Sequence, residues 1–239
     1  MIGLRKIRRY WYQWTRHSIG SVWMLHRVTD KVSTLESQRR YEITPAKLEQ
    51  LIQSYQERGY EFVSIAEVEN RMSGESKGKF VAVTLDDGYE DTYTVAYPIF
   101  KKYNVPFCVY VTEGPVTGEI CPEHMRGYAM LTEMQIIELS KSPLCTIGSH
   151  TKSHAALETL PKERQYTEVK HCKEWIEGIV GNPIVDFAYP YGKPNKDTFS
   201  VVRDLAIERA VLAGGGEVLN RTGRLKLAIP RMVITNETE

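Results

Sequence analysis

A repeated alternation between short apolar runs and amphipathic helical segments constrains the fold of this chain most strongly. Runs such as Phe80–Leu85 and Phe107–Val111 are short and rich in β-branched or aromatic residues, so they predict buried strands. Helical patterns follow most of these runs; Thr44, for example, predicts an N-cap and Pro45 the first helical position. About seven such units predict a parallel sheet closed, or nearly closed, into a barrel, with a doubly wound open sheet as the alternative.

Length and composition indicate one globular unit. The chain has 239 residues, 42% of them hydrophobic and 26% charged, which is enough for a single substantial core. No apolar run approaches the roughly 20 residues of a membrane-spanning helix, and the opening residues lack the apolar segment of a secretory signal. We expect a basic aromatic extension over residues 1–20, one domain over residues 21–239, and a cytoplasmic location.

Cysteine usage gives no sign of a disulfide framework. The four cysteines, at positions 108, 121, 145 and 172, contain no C-x-x-C pair. A chain of this length does not need disulfides for its stability. We therefore predict buried free thiols.

Positive charge is concentrated at the start of the chain. Residues 1–29 carry six lysines or arginines and no acid, which leaves 25 basic and 30 acidic residues for the rest. Residues 1–16 are also aromatic, so this segment fits either of two roles. It can contact an anionic membrane surface at the inner membrane face, or it can form a helix that packs its tryptophans on the domain. Nucleic acid is a less favoured partner of the same segment, because no other motif of the chain supports it.

An acidic pair stands where the most apolar predicted strand ends. Asp86 and Asp87 follow Leu85 directly, and Gly88 permits a sharp exit from the strand. Because active sites of barrels form at the carboxyl ends of the strands, both acids are candidates for chemistry. Neighbouring strand residues point to opposite sides, so the two carboxylates are expected to differ in role. An isolated pair of this kind also fits an ordinary loop cap.

Two histidines follow a later predicted strand near Cys145–Ile147. His150 and His154 are four residues apart, a spacing that places both imidazoles on one face of a helical turn. Two histidines and one carboxylate with an open position are typical of a hydrolytic zinc centre, which lowers the pKa of bound water to about 7. Alone, the histidines also fit solvated or capping roles. Beside the acidic pair they favour a metal site.

A third strand end carries the aromatic segment Phe187–Gly192, which suits the wall of a groove. In this order the three motifs resemble those of the polysaccharide deacetylases of carbohydrate esterase family 4, which share the NodB homology domain. Thr84–Gly88 resembles the family's T-F-D-D-G motif with Leu85 in place of Phe, and Ser149–His154 resembles its H-[ST]-x-x-H motif. Ala188–Gly192 resembles its proline-tyrosine-glycine motif. Leu25–His26 is similar to the early Leu-His motif of one branch of the family.

The resemblance implies a distorted (β/α)7 barrel and metal-dependent removal of an N-acetyl group from an amino sugar. It makes Asp86 the general base and assigns Asp87, His150 and His154 to the metal, which is zinc or another divalent ion. It also implies that the backbone N–H of Tyr191 stabilises the oxyanion. This division of labour agrees with general acid–base and metal-ion chemistry.

Two positions depart from the best-known family pattern. Ala188 replaces the arginine that braces the catalytic aspartate, and no histidine follows His171 to supply an acid. We nominate Arg231 as the brace, because a cation beside Asp86 keeps that acid ionised and oriented. We nominate His26 as the proton donor, because the resemblance to the branch with the early Leu-His motif implies a histidine near the metal at this position; a structural histidine is the alternative. The other histidines are expected to be solvated or structural; they are His17, His124 and His171.

The sequence therefore predicts a hydrolase that removes N-acetyl groups from amino sugars of a polysaccharide, an oligosaccharide or a lipid-linked glycan. The motif arginine and the late histidine are both absent from this sequence. Their absence favours a first alternative, a catalytically idle carbohydrate-binding module. The expected cytoplasmic location favours a second alternative, a deformylase or another amidase that acts on a lipid-linked sugar.

Overall fold

The computed structural model describes residues 18–34, 36–73, 79–219 and 225–239. Both roles considered for residues 1–16, and the role of His17, lie outside these residues. The first described strand begins at Ser18. Residues 18–20, which the sequence analysis placed in the N-terminal extension, therefore lie in the sheet. Within the described ranges, no helix is both long enough and apolar enough to cross a bilayer.

Seven parallel strands form a closed ring, in the order β1-β5-β6-β7-β8-β9-β11, and pairing of β11 with β1 completes it. Strand β4 lies beside the start of β5, β10 is antiparallel to β1, and β2 pairs with β3 in a separate small sheet. The prediction of a distorted (β/α)7 barrel is confirmed, and the open doubly wound sheet is excluded. The strands are β1 (Ser18–Leu25), β2 (Arg27–Val28), β3 (Glu42–Ile43), β4 (Glu61–Val63), β5 (Phe80–Leu85), β6 (Phe107–Val111), β7 (Cys145–Ser149), β8 (Asp186–Ala188), β9 (Arg209–Gly215), β10 (Val218–Leu219) and β11 (Ile229–Val233).

Helices surround the barrel and fill most of the connections between its strands. A short π-helical segment, Thr92–Ala96, leads into α4. In the described part of the chain, 3-10 turns occur at Glu123–Met125, Leu157–Thr159 and Pro190–Gly192. The α-helices are α1 (Glu36–Arg39), α2 (Pro45–Glu57), α3 (Ile65–Ser73), α4 (Tyr97–Tyr103), α5 (Glu113–Thr117), α6 (Glu133–Ser140), α7 (Lys162–Val180) and α8 (Lys196–Asp204).

The first residues of the helices show where local sequence signals were sufficient to predict a helix start. The Thr44 hydroxyl accepts the N–H of Lys47 at 3.3 Å with Pro45 in the first turn, which confirms the predicted start of α2. Other predicted boundaries were wrong. Ile65, predicted at the end of a strand, is the first residue of α3, and α7 begins five residues before Thr167, its predicted start. The first turn of α7 is polar, so apolar periodicity alone could not mark it.

Side chains of the barrel strands alternate between two apolar cores. Ala82 and Tyr110 pack inside the ring, whereas Val83 and Val109 pack outward against the helices. Asp86 continues the inward series of β5 beyond its last residue. The two-residue period of the strand therefore aims the Asp86 carboxylate into the mouth of the barrel.

The cysteine prediction holds for two of the four thiols. All four are free, and Cys108 and Cys172 are buried as expected. Cys145, at the start of β7, is half-buried, and Cys121 is exposed in an irregular connection after α5, so the prediction is wrong for both. Cys145 packs only partly against the core between the barrel and its helices, whereas Cys121 lies in a connection outside the packed strands and helices.

Gly148 of β7 lies where the barrel interior leaves no space for a methyl group. A Cβ there would stand 2.5 Å from the ring of Tyr110 and 2.9 Å from the carbonyl oxygen of Asp186. We expect Gly148→Ala to lower the free energy of unfolding by about 1–3 kcal/mol through overpacking, measured by urea denaturation. The control is Gly178→Ala in α7, where nothing lies within 4 Å and where alanine favours the helix. Equal stability of the two variants would contradict this packing.

Candidate functional site

Two strand ends bring a carboxylate and two imidazoles together at the mouth of the barrel. Asp87 follows β5, and His150 and His154 follow β7. The Asp87 Oδ1 atom lies 3.6 Å from Nε2 of His150 and 3.4 Å from Nε2 of His154. One ligand atom from each residue lies within 4.8 Å of the others, and all three residues are buried. The structure thus brings together the three side chains that the resemblance assigned to a metal.

The histidines do not sit on a helical turn, and that part of the sequence interpretation is wrong. The chain after β7 is an irregular loop in which Thr151 and His154 have left-handed backbone angles, with φ of 71° and 56°. Asp87 is also left-handed, with φ of 75°. Residues other than glycine rarely adopt this region, and they cluster at functional sites when the surrounding structure holds them there.

Both imidazoles are uncharged, as metal ligands must be. The Nδ1 atom of His150 donates to the carbonyl oxygen of Ala188 at 2.7 Å, which leaves the lone pair of Nε2 facing Asp87. Burial lowers the pKa of His150 to about 4 and that of His154 to about 3, so both rings are uncharged near neutral pH.

This set of donors fits a divalent cation. The Oδ1 atom of Asp87 is buried and has no hydrogen-bond partner among the described residues. A buried carboxylate oxygen without a partner is costly unless a cation or donor meets it. Together with two neutral imidazoles, it matches the ligands found at hydrolytic zinc sites.

A bidentate ion pair fixes the neighbouring acid. Arg231 donates from Nη1 and Nη2 to the two carboxylate oxygens of Asp86, each at 2.6 Å, and the guanidinium is fully buried. Its remaining groups are also held, because Nε donates to the Leu212 carbonyl and Nη1 to the Thr84 hydroxyl. Burial raises the pKa of Asp86, but the charge and hydrogen bonds of Arg231 outweigh it and hold that pKa below its ordinary value. Asp86 is therefore ionised.

His26 lies at the same mouth, directly after β1. Strand β1 pairs with β5, and the Asp86 N–H donates to the Leu25 carbonyl at 3.0 Å, so His26 and Asp86 follow neighbouring strand ends. The His26 ring is near enough to Asp86 and His154 to act on both electrostatically. It packs on Tyr41 at 4.6 Å between ring centroids, and its buried Nδ1 has no partner among the described residues.

Aromatic rings surround His154. The rings of His124 and Tyr191 lie 4.8 Å from it and that of His150 lies 4.9 Å from it. His124 was expected to be solvated or structural; it is exposed but stands at the rim of the site. Tyr191 is 51% exposed and forms the opposite wall. His171 is not one of these rings; its Nδ1 lies 3.1 Å from a Glu113 carboxylate oxygen on α5.

Sequence reasoning missed Tyr89, a buried tyrosine close to Asp87. Burial raises the pKa of the Tyr89 hydroxyl well above its usual value, and the adjacent Asp87 carboxylate raises it further. Its ring meets Tyr128 edge-on at 5.7 Å, and the Arg27 guanidinium covers the Tyr128 ring at 4.1 Å. The position of Tyr89, two residues after Asp87, was the only signal in the sequence.

Comparison with known proteins decides the family. A sequence model described as polysaccharide deacetylase matches residues 73–210, more than half of the chain and the region that contains both aspartates and both histidines of the site. The chain belongs to the polysaccharide deacetylase family. The resemblance inferred from the three motifs is thereby confirmed.

Curated relatives are similar to this chain in sequence, and solved structures of deacetylases are similar to it in fold. The poly-β-1,6-N-acetyl-D-glucosamine N-deacetylase of Staphylococcus aureus (strain MRSA252) is 25% identical over 182 residues, 71% of this chain and 60% of that protein. The chain spans about three fifths of the length of such curated relatives. The Streptococcus pyogenes deacetylase PplD, solved in complex with acetate, is 26% identical with a TM-score of 0.77, covering 93% of this chain and 95% of that one. IcaB from Ammonifex degensii is 26% identical with a TM-score of 0.78, covering 92% and 93%.

Proposed function

We propose that this chain is a metal-dependent hydrolase that removes N-acetyl groups from amino sugars of a glycan. The observation that carries the proposal is the buried set of Asp87, His150 and His154 beside an Asp86 that Arg231 keeps ionised. The names of two relatives support the substrate and the product. One is an N-deacetylase of poly-N-acetylglucosamine, and the other is a deacetylase solved with acetate.

Asp87, His150 and His154 would hold the metal, zinc or another divalent ion, since several such ions suit two imidazoles and a carboxylate. When bound, the ion would polarise the acetamide carbonyl and lower the pKa of the attacking water. The lone pairs of the two imidazoles are available for this role because burial keeps both rings neutral.

The other residues of the site supply proton transfer and orientation. Asp86 accepts the proton of the attacking water, while Arg231 fixes the plane of its carboxylate. The backbone N–H of Tyr191 stabilises the oxyanion that develops on the carbonyl oxygen. His26 donates a proton to the nitrogen as the carbon–nitrogen bond breaks. Water is consumed, a carbon–oxygen bond forms, and acetate and a free amine leave.

Loss of His26 should slow the reaction without disturbing the metal. We expect His26→Gln to lower kcat by about a hundredfold or more, the usual size of a general-acid contribution, with unchanged zinc affinity. The measurements are acetate release at saturating substrate and zinc affinity by chelator competition. The control is His171→Gln on the outer face of α7, which should leave kcat unchanged. A His26→Gln variant with nearly wild-type kcat would exclude His26 as the proton donor.

The test of the proposed function is a substrate panel. N-acetylglucosamine oligomers and lipid-linked N-acetylated sugars are incubated with the full chain, with and without a chelator, and both acetate and formate are measured. We expect acetate from the N-acetylated glycans, loss of acetate with the chelator, and recovery with added zinc. Glycan affinity without turnover would instead support a binding module. Formate release, or a product from lipid-linked sugars alone, would support the amidase alternative.

A further inference from the structure

The two histidines of the proposed metal site are anchored differently. His150 is oriented by a hydrogen bond from Nδ1 to the Ala188 carbonyl. The Nδ1 atom of His154 is buried and has no partner among the described residues. The two outer rings that contact His154, those of His124 and Tyr191, are exposed. The placement of the His154 imidazole therefore depends on the backbone of its own loop.

That backbone is held in a conformation that its residues do not prefer. Thr151 and His154 both have positive φ, and neither is glycine. Such angles persist in L residues only where neighbouring groups fix them. The hydrogen bonds to the loop between residues 150 and 154 consequently decide where the second histidine points.

One side of the loop is held by the start of α5. The N–H of Glu113 donates to the Thr151 carbonyl at 3.3 Å, and the N–H of Gly114 donates to the Lys152 carbonyl at 2.8 Å. A Cβ at Gly114 would lie 2.9 Å from that same carbonyl oxygen, so the two backbones are in close contact. These bonds fix the first half of the loop. The last residue that they hold is Lys152, two residues before His154.

Among the described residues, Glu168 of α7 makes the hydrogen bonds that hold the second half. The Glu168 carboxylate accepts the Ser153 N–H at Oε2 (2.9 Å) and the Ser153 hydroxyl at Oε1 (2.8 Å). The main-chain carbonyl of Glu168 also accepts the Lys152 N–H at 3.0 Å. Ser153 immediately precedes His154, so the Glu168 carboxylate fixes the residue from which the ligand projects. No other part of the proposed mechanism uses Glu168.

We propose that Glu168 is a positioning residue that sets the metal affinity of the site by holding Ser153 and, through it, His154. The inference rests on the proposed function, because it concerns the same metal site. Residues that orient metal ligands typically change metal affinity by about 10–100-fold when they are removed. Glu168 is half-buried, and its carboxylate bonds to Ser153 rather than to Asp87, His150 or His154, so its effect on the metal acts through the loop.

The test measures zinc affinity of the metal-free full chain by competition with a chromogenic chelator. We expect Glu168→Ala to bind zinc at least about tenfold more weakly than the wild type. Glu168→Gln should retain most of the affinity, because its amide oxygen can accept the Ser153 N–H and its amide nitrogen can donate to the hydroxyl. Ser153→Ala removes only the hydroxyl and should give an intermediate loss. Glu174→Ala, an exposed acid on the same helix paired with Lys170, is the control and should bind as the wild type does.

Thermal unfolding of the same metal-free proteins separates positioning from simple stabilisation. If Glu168→Ala lowers Tm but binds zinc as tightly as the wild type, the inference is overturned. Equal weakening by Glu168→Gln and Glu168→Ala would also overturn it, because the charge rather than the hydrogen bonds would then matter. Should Glu168→Ala fail to fold, Ser153→Ala decides, and wild-type zinc affinity in that variant contradicts the proposal. A wild-type chain that binds neither zinc nor another divalent ion would instead refute the proposed function.

Discussion

Replacing Arg231 with methionine should abolish acetate release and lower the free energy of unfolding by about 3–5 kcal/mol. Methionine keeps much of the length of the side chain but removes both hydrogen bonds to Asp86, which is 2% exposed. The carboxylate would then be buried without a cation, and burial would favour its protonated form. A protonated Asp86 cannot accept the proton of the attacking water. Urea denaturation and acetate release measure the two effects.

The control for Arg231 is a second buried pair in the same barrel. Arg209 donates to both carboxylate oxygens of Asp186, at 2.7 and 3.0 Å, near the start of β8 and β9 and away from the mouth. Arg209→Met should destabilise the fold yet leave the kcat of the folded protein unchanged. Adding Asp86→Asn to Arg231→Met removes the buried charge and should recover stability without activity. Full activity in Arg231→Met would show that Asp86 needs no brace.

Replacing Asp87 with asparagine should remove zinc binding and acetate release together. At zinc concentrations of 100 times Kd, the wild type should gain about 2.7 kcal/mol of stability, because only the folded chain presents the site. The variant should gain nothing, since it lacks the carboxylate that completes the donor set. Its metal-free stability should stay close to that of the wild type, because asparagine has nearly the shape of aspartate and adds no buried charge. Thermal unfolding with and without zinc measures both quantities.

The matched control for Asp87 is Asp204→Asn at the end of α8, an exposed acid 3.7 Å from Lys162. It makes the same chemical change outside the site and should keep the full zinc-dependent gain in Tm. If Asp87→Asn shows the same gain as the wild type, the ion binds elsewhere on the chain. Asp87 would then have to be removed from the proposed set of ligands.

The fold was accessible from the sequence because its signals are local. Strand β5 is a continuous apolar run, and Thr44 and Pro45 mark a helix start by their own chemistry. The inward direction of Asp86 follows from the two-residue period of its strand. These features depend on neighbours in the chain, and the structure agrees with each of them.

The details of the site depend on residues that are distant in sequence. The 150–154 loop was expected to be a helical turn. Instead, the Gly114 N–H donates to it and the Glu168 carboxylate accepts from it, with left-handed angles at Thr151 and His154. His124 and Tyr191 meet His154 only because two separate connections converge at the mouth. A sequence pattern among neighbouring residues does not predict such a contact. Arg231 was nominated only because the resemblance implied a cation beside Asp86, and the structure places its guanidinium on that carboxylate.

A zinc titration of the metal-free full chain, with acetate release from β-1,6-linked N-acetylglucosamine oligomers measured on the same samples, tests the central claim most directly. We predict that each chain binds a single zinc ion at the site of Asp87, His150 and His154, and that acetate release rises in proportion to the bound zinc. Undiminished acetate release by the metal-free chain would contradict a metal-dependent deacetylase.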